Sequence, residues 1–336
     1  MLKNTFLLIC SVVVIILSAC KNNPTQEIVK TGNPLIDALS EQIALSPNSD
    51  TLHAQRAAAF YKEGIYSEAV KDMAKAMAID SMNPYYHHFL ADIYLDDNNS
   101  RMAIKTMERI VEIYPERIPS LLKLSELQMI VKLNKESIKT VSRILQLDKQ
   151  NAEAFFMMGN NLKELGEKDR AIAAYKNCVA ANADLVDGWI NLGILLDEKK
   201  DNKAIEYLET ALRIDSSSTQ ALHAKAMYYQ NRNKLKEAIA IYKEIPKFDK
   251  DNADAFYNVG LLYLDLDSVK QAKDNFNIAV SVDPQYVLGY YFRGRALEML
   301  GELADAKRDY EQTLVLSPNY QPAKDALEKI NIKIKK

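Results

Sequence analysis

The chain has 336 residues, with 43 basic and 45 acidic side chains, a formal net charge of −2 and 48% apolar content. Ten glycines and ten prolines fall well below ordinary usage of about 7% and about 5%, which excludes an all-β sandwich or a loop-rich enzyme and leaves helices as the expectation. The balanced charge offers no broad basic surface, so nucleic acid is not an expected partner.

The first element is apolar. Lys3 precedes a run from Phe6 to Ala19 of 14 residues, shorter than the roughly 18–20 residues a membrane span needs and ending in small residues, as an export signal does. Leu17-Ser18-Ala19-Cys20 resembles the bacterial lipobox. That resemblance implies a signal at 1–19, diacylglyceryl transfer to the Cys20 thiol, cleavage before it and acylation of the new amine. Membrane attachment through lipid is thus the expectation. With Cys10 removed and Cys20 acylated, Cys178 stands alone, so no disulfide is expected and the core must hold the fold. Lys21 replaces the aspartate that marks inner-membrane retention in enteric bacteria, and Asn22 and Asn23 differ from the acids of surface-exposed lipoproteins. The analogy implies an outer-membrane lipoprotein facing the periplasm. Residues 20–33, rich in Asn, Pro, Thr, Gln and Gly, read as the lipidated cysteine and a flexible tether.

From residue 50 onward the chain repeats with a period of 34 residues. In the frame 50–83, 84–117, 118–151, 152–185, 186–218 (one residue short), 219–252, 253–286 and 287–320, the eighth position is Ala57, Ala91, Ser125, Gly159, Gly193, Ala226, Gly260 and Gly294. The twentieth is Ala69, Ala103, Ser137, Ala171, Ala204, Ala238, Ala272 and Ala306. Two apolar stretches at helical spacing flank a polar turn in each unit, with glycine at Gly64, Gly166 and Gly301. The unit is a helical hairpin whose small residues let its two helices approach. Large residues recur around them, at position eleven (Phe60, Tyr94, Leu162) and position twenty-four (Met73, Tyr175, Phe276, Tyr310). Pro115, Pro284 and Pro318 stop the second helix. Pro246 falls inside the second helix of the sixth unit, where it is expected to end the helix early and bend the array before the seventh.

On these columns the chain resembles the tetratricopeptide repeat (TPR) family across residues 50–320. The resemblance implies an all-α fold, a right-handed superhelical solenoid of antiparallel helix pairs, with a half repeat at 34–49 and a closing helix at 321–336 covering its ends. The fit is weaker in the third repeat, with Gln128, Lys132 and Lys149 where the family usually has an aromatic residue, Gly and Pro, and in the sixth, with Lys225 at an apolar place. In the family, the first helix of each pair lines a concave groove. The corresponding positions here supply Tyr85, His88, Phe89, Asp92, Leu122, Glu126, Phe156, Asn160, Asp187, Ile190, Asn191, Tyr257, Asn258, Leu261, Tyr291 and Arg295 as groove residues. Across all such positions acids outnumber the bases Lys62, Lys123, Lys163 and Arg295, so the groove is expected to be acidic. Its expected partner is a neutral to basic protein or peptide.

The family's carboxylate clamp maps to Phe156, Asn160, Asn191, Gln220 and Ala224, which keeps both asparagines and loses every cation. Its asparagine ladder survives only at Asn191 and Asn258. No P-loop, G-x-G-x-x-G or G-x-S-x-G motif is present. His88 and Asp92 share a helix face but are too few to hold a metal, and Cys178 sits at a small packing position. No cofactor, metal or catalytic residue is expected. The leading reading is a non-catalytic, membrane-tethered scaffold or adaptor in the bacterial envelope; the alternative is an envelope module for nutrient or glycan capture.

Overall fold

The computed structural model describes residues 31–334, and these residues contain eighteen α-helices, one 310 turn and no strand. Cys20 and its lipobox lie outside the described residues. The chain divides into two compact units, one ending at Tyr114 and the other beginning at Pro115.

The first unit contains α1 (Pro34–Leu45), α2 (Asp50–Lys62), α3 (Tyr66–Ile79), α4 (Pro84–Asp96) and α5 (Ser100–Ile113). The second runs through α6 (Ile118–Ile130), α7 (Asn134–Leu147), α8 (Ala152–Glu164), α9 (Lys168–Ala181), α10 (Val186–Glu198), α11 (Ala204–Ile214), α12 (Thr219–Gln230) and α13 (Leu235–Tyr242). It continues with α14 (Ala253–Asp265), α15 (Val269–Val282), α16 (Val287–Met299), α17 (Leu303–Leu316) and α18 (Gln321–Ile334). From α2 to α17 the even-numbered helices are the first of each pair and the odd-numbered helices the second. At α2, α4, α8, α12 and α14 the backbone donors at the helix start are met by a short polar side chain, Ser49, Asn83, Asn151, Ser218 or Asn252. Leu52 N–H donates to Ser49 Oγ (3.3 Å), Ala154 N–H to Asn151 Oδ1 (2.9 Å) and Ala255 N–H to Asn252 Oδ1 (3.0 Å).

Every first helix ends the same way. The residue at position fifteen takes a left-handed conformation in all eight repeats: Gly64, Asn98, Lys132, Gly166, Lys200, Asn233, Asp267 and Gly301, with φ between +53° and +82°. The next residue's N–H then reaches back to the carbonyl of position eleven, as in Ile65 to Phe60 (2.9 Å), Leu133 to Gln128 (2.8 Å) and Asp201 to Leu196 (2.9 Å). This is the Schellman closure, which satisfies an orphan carbonyl and reverses the chain within three residues.

The small columns sit where the helices touch. Ala57, Ala69, Ala91 and Ala103 are fully buried in the first unit, as are Ala171, Ala204, Ala226, Ala238, Ala272 and Ala306 in the second. In the third repeat the column residues are bonded to each other, Ser125 Oγ lying 2.7 Å from Ser137 Oγ. Gln128, in place of a large apolar residue, is buried and accepts from Thr140 Oγ1 at 2.9 Å. Lys225 is half-buried and carries its charge to Glu209 (3.0 Å).

Pro246 ends its helix early. α13 has 8 residues where α9 has 14, and it passes into the 310 turn Ile245–Lys247 with Ile245 buried. Proline has no N–H to give and clashes with the preceding turn. The deletion in the fifth repeat likewise shortens α11 to 11 residues.

The first and eighth repeats share a device that sequence spacing did not reveal. Arg56 forks onto Asp72 (2.7 and 2.8 Å) and donates to Ser40 Oγ (2.9 Å), all buried. At the same register Arg293 forks onto Asp309 (2.7 Å for each bond) and donates to Asn277 Oδ1 (2.8 Å). A bidentate pair of this kind fixes the relative placement of the two helices in a way a lysine could not.

Candidate functional site

In the first unit the face of α4 carries Tyr85, His88, Phe89 and Asp92. Tyr85 is 73% exposed, while the other three are half-buried. Phe89 stands edge-on to Tyr61 from the preceding first helix (5.5 Å between centroids, 85°). Tyr61 in turn donates its hydroxyl to Asp96, which together with burial pushes the phenol up to about 12. Tyr86 donates to Asp50 (2.7 Å); burial and this bond raise it to about 12, and the same bond lowers the Asp50 carboxyl. Successive first helices are thus linked by phenol-to-carboxylate bonds, and the face between them is aromatic and acidic.

In the second unit the predicted residues fall into two groups. Leu122, Phe156 and Asn160 are half-buried, and Glu126 and Asp187 are exposed. Glu126 pairs with Lys123 (3.1 Å), and Phe156 tilts against Tyr175 (5.9 Å, 55°). Asn160 Oδ1 accepts from the Tyr175 hydroxyl at 2.6 Å, and burial raises that phenol so that it remains a donor. Two expectations need correction here. Ile190 is fully buried, packed in the same core cluster as Leu192, Leu208 and Tyr228, so it cannot anchor a partner. Asn191 is 8% exposed and already spent: its amide donates to the Asp187 carbonyl (2.9 Å) and its oxygen accepts from Lys163 Nζ (2.9 Å).

The second group lies on α14 and α16. Tyr257 meets Tyr286 (5.4 Å) and Phe292 (5.6 Å), Phe292 meets Tyr291 (5.1 Å), and Tyr291 meets Tyr320 (5.2 Å), all edge to face. This half-buried chain of rings is a packed aromatic face. Leu261 packs, like Tyr257 and Phe292, on the buried cluster of Ala272, Phe276 and Ala296, and Arg295 is exposed with its guanidinium 5.7 Å from the Phe292 centroid. Asn258 Nδ2 lies 3.4 Å from His223 Nε2, and burial lowers the His223 pKa against the opposing pull of Asp254. Tyr286 and Tyr320 were not among the predicted residues. Both occupy the last position of a repeat, so their recurrence at one register was the available signal.

The acidity of this face is partly absorbed by the fold. Asp197 is held by Asn231 (2.7 Å) and Arg232, Asp254 by Tyr286, and Glu298 by Lys333 (2.6 Å) and Tyr310 (2.9 Å). Glu153, Asp187 and Asp265 are exposed and hold no ion pair among the described residues. Those carboxylates, with the rings between them, are what the face can offer. Trp189 is not such a platform: its ring stacks on Tyr207 (5.9 Å, 25°) and its N–H donates to the Ala183 carbonyl (2.7 Å).

The repeat matches family models described as tetratricopeptide repeat over residues 84–117, 152–185 and 186–218, and again over 257–321. The chain belongs to the TPR family, and its all-helical architecture is that of a TPR solenoid. It is 32% identical to RNA polymerase II-associated protein 3 of Mus musculus over 43% of this chain and 24% of that protein. It is 27% identical to the protein O-mannosyl-transferase TMTC3 of Homo sapiens over 54% of this chain and 20% of that protein. The chain spans about a quarter of the length of the first curated relatives it matches. A crystal structure of a tetratricopeptide repeat protein from Parabacteroides merdae superposes with a TM-score of 0.54 at 15% identity, covering 73% of this chain and 97% of that one. The fold is that of a protein-interaction scaffold, a class that is in general non-catalytic and binds protein or peptide partners.

Proposed function

We propose that the protein is a non-catalytic adaptor tethered to the bacterial envelope membrane by lipid on Cys20, holding a neutral to basic protein or peptide along the faces of its first helices. The observation that carries this reading is the composition of those faces. Tyr85 on α4 of the first unit is exposed, and on the first helices of the second unit half-buried Phe156, Tyr257 and Tyr291 occur together with Asp187 and Asp265, exposed carboxylates that hold no ion pair among the described residues. Aromatic groups flanked by unneutralised acids suit a partner offering apolar and cationic side chains. Lipid on Cys20, with Lys21 behind it, supports placement at the outer membrane facing the periplasm. Several acyl chains hold a protein stably where one is marginal.

Photo-crosslinking in living cells from Phe156, Tyr257 and Tyr291, with exposed Lys176 on α9 as control, tests the binding face. A discrete protein captured from the first three and absent from Lys176 is the expected result. Capture from Lys176 alone would transfer the function to the opposite face. Fractionation of a Cys20→Ala variant tests the anchor, which is wrong if that variant stays fully in the membrane.

A further inference from the structure

The second helices of the first unit carry a charge pattern that neither the hairpin packing nor the binding face uses. Lys71 and Lys75 occupy positions 22 and 26 of the first repeat, and Arg101, Lys105 and Arg109 occupy positions 18, 22 and 26 of the second. Spacing by four places each set on one helix face, and all five are exposed. The opposite faces of the same helices are sealed by Ala69, Met73 and Ala76 in α3 and by Ala103, Met107 and Ile110 in α5. Lys71 pairs with Glu68 (2.6 Å) and Arg109 with Glu112 (3.3 Å), both exposed contacts within one helix, and such pairs leave each cation available to a stronger anion. Lys75, Arg101 and Lys105 hold no ion pair among the described residues. Glu108 is the other acid exposed on this side of α5.

Repeat structure alone does not produce this pattern. α7, in the second unit, has Lys135, Lys139 and Arg143 at positions 18, 22 and 26, also exposed, whereas α9 has Asp169, Ala173 and Asn177 there. The basic register therefore belongs to the first three repeats, next in sequence to the predicted lipid site. Ten residues lie between Cys20 and Thr31, where the described structure begins, and fully extended this stretch reaches at most about 40 Å. A lipid at Cys20 would thus keep the first unit within a few nanometres of a bilayer.

We infer that the outer face of α3 and α5 is a docking surface for anionic phospholipid headgroups, acting as a second membrane signal beside the lipid. The complement is one of charge: a surface whose five cations outnumber its acids Glu68, Glu108 and Glu112 fits a sheet of phosphates, with exposed Ile79 one turn beyond Lys75 on the same face of α3, and each cation near such a surface raises affinity about fivefold. The aromatic and acidic face of α4 then points to the aqueous side, where a partner can reach it. The membrane setting rests on the lipid-anchor reading, but the electrostatic surface does not depend on it.

The test uses the chain from residue 20 onward carrying Cys20→Ala, which has neither lipid nor the apolar run from Phe6 to Ala19, floated with vesicles of phosphatidylcholine alone or with about one third phosphatidylglycerol. Association with the anionic vesicles is expected to exceed that with the neutral ones by at least about tenfold and to fall with added salt. The combined variant K71E/K75E/R101E/K105E/R109E loses the preference, whereas K236E/K270E, on other second helices, keeps it. Should the five-fold reversal disturb folding, K75Q/K105Q is expected to lower the anionic association about tenfold or more, both cations being neutralised. Equal binding to both vesicles, or undiminished binding in the charge variants, overturns the inference. Retention on an anionic polysaccharide without preference for the anionic vesicles also overturns it, assigning the face to a polymer. Because the anchor is absent from this assay, failure of the Cys20 assignment in cells leaves its result intact.

Discussion

An ideal Cβ built on Gly159 would lie 2.6 Å from Cε1 of Tyr175, and one on Gly260 would lie 2.5 Å from Cε1 of Phe276. Those distances explain glycine at these two places, where position twenty-four holds a ring pressed on the backbone; alanine stands over Met73 and Met107, whose flexible chains give way, and in the sixth repeat Ala226 is accommodated beside the ring of Tyr242. At Gly193 the crowding comes from the branched side chain of Leu208, at 2.6 Å. Gly260→Ala is therefore expected to destabilise the second unit by about 1–3 kcal/mol, the usual cost of overpacking. Adding Phe276→Met, the residue that stands under alanine at Met73 and Met107, should return most of that loss, seen as a coupling of about 1 kcal/mol or more in a double-mutant cycle by urea unfolding. Strict additivity would show that the ring and the glycine do not meet.

At the scale of the hairpin, one turn geometry is met by chemically different residues. Gly64, Gly166 and Gly301 announce it, and Asn98, Asn233 and Asp267 are the residues that tolerate left-handed backbone by local hydrogen bonding. Lys132 and Lys200 have no such excuse, yet they adopt φ of +60° and +59°. Two substitutions with opposite sign follow from this. Lys200→Gly should stabilise by about 1 kcal/mol by relieving the left-handed strain, and Gly166→Ala should destabilise by a similar amount, both read as shifts in urea midpoint. The helices and their close approach were legible because they follow from periodicity and from small columns, and the early end of α13 because Pro246 lacks an N–H. The turns at Lys132 and Lys200 were legible only from the repeat register and their left-handed backbone not at all, since lysine carries no preference for that conformation and is held there by the closure bonds to Gln128 and Leu196.

For the array as a whole, register tells which side chains share a face but not how deeply each is covered. Burial of Ile190 depends on what Leu208 and Tyr228 fill around it, and the spending of Asn191 on Lys163 joins adjacent repeats. Both belong to neighbour packing, which a single repeat's sequence does not encode. In a repeat protein each unit touches only its neighbours, so stability is a sum of local terms and a defect stays local. The joint between the third and fourth repeats provides the test. Asn161 is fully buried, donates to Ser137 Oγ and the Met157 carbonyl (2.8 Å for each bond), and its Oδ1 has no partner among the described residues. An unmet buried acceptor costs about 1–3 kcal/mol, whereas apolar replacement of the whole network removes that cost. The variant S125A/S137A/N161L is accordingly expected to gain about 1 kcal/mol, with slower hydrogen exchange in α6 to α9. Exchange in α14 to α17 should stay as it was. Uniform slowing across the second unit would mean that it opens as one cooperative block, and that its repeats are coupled far beyond their nearest neighbours.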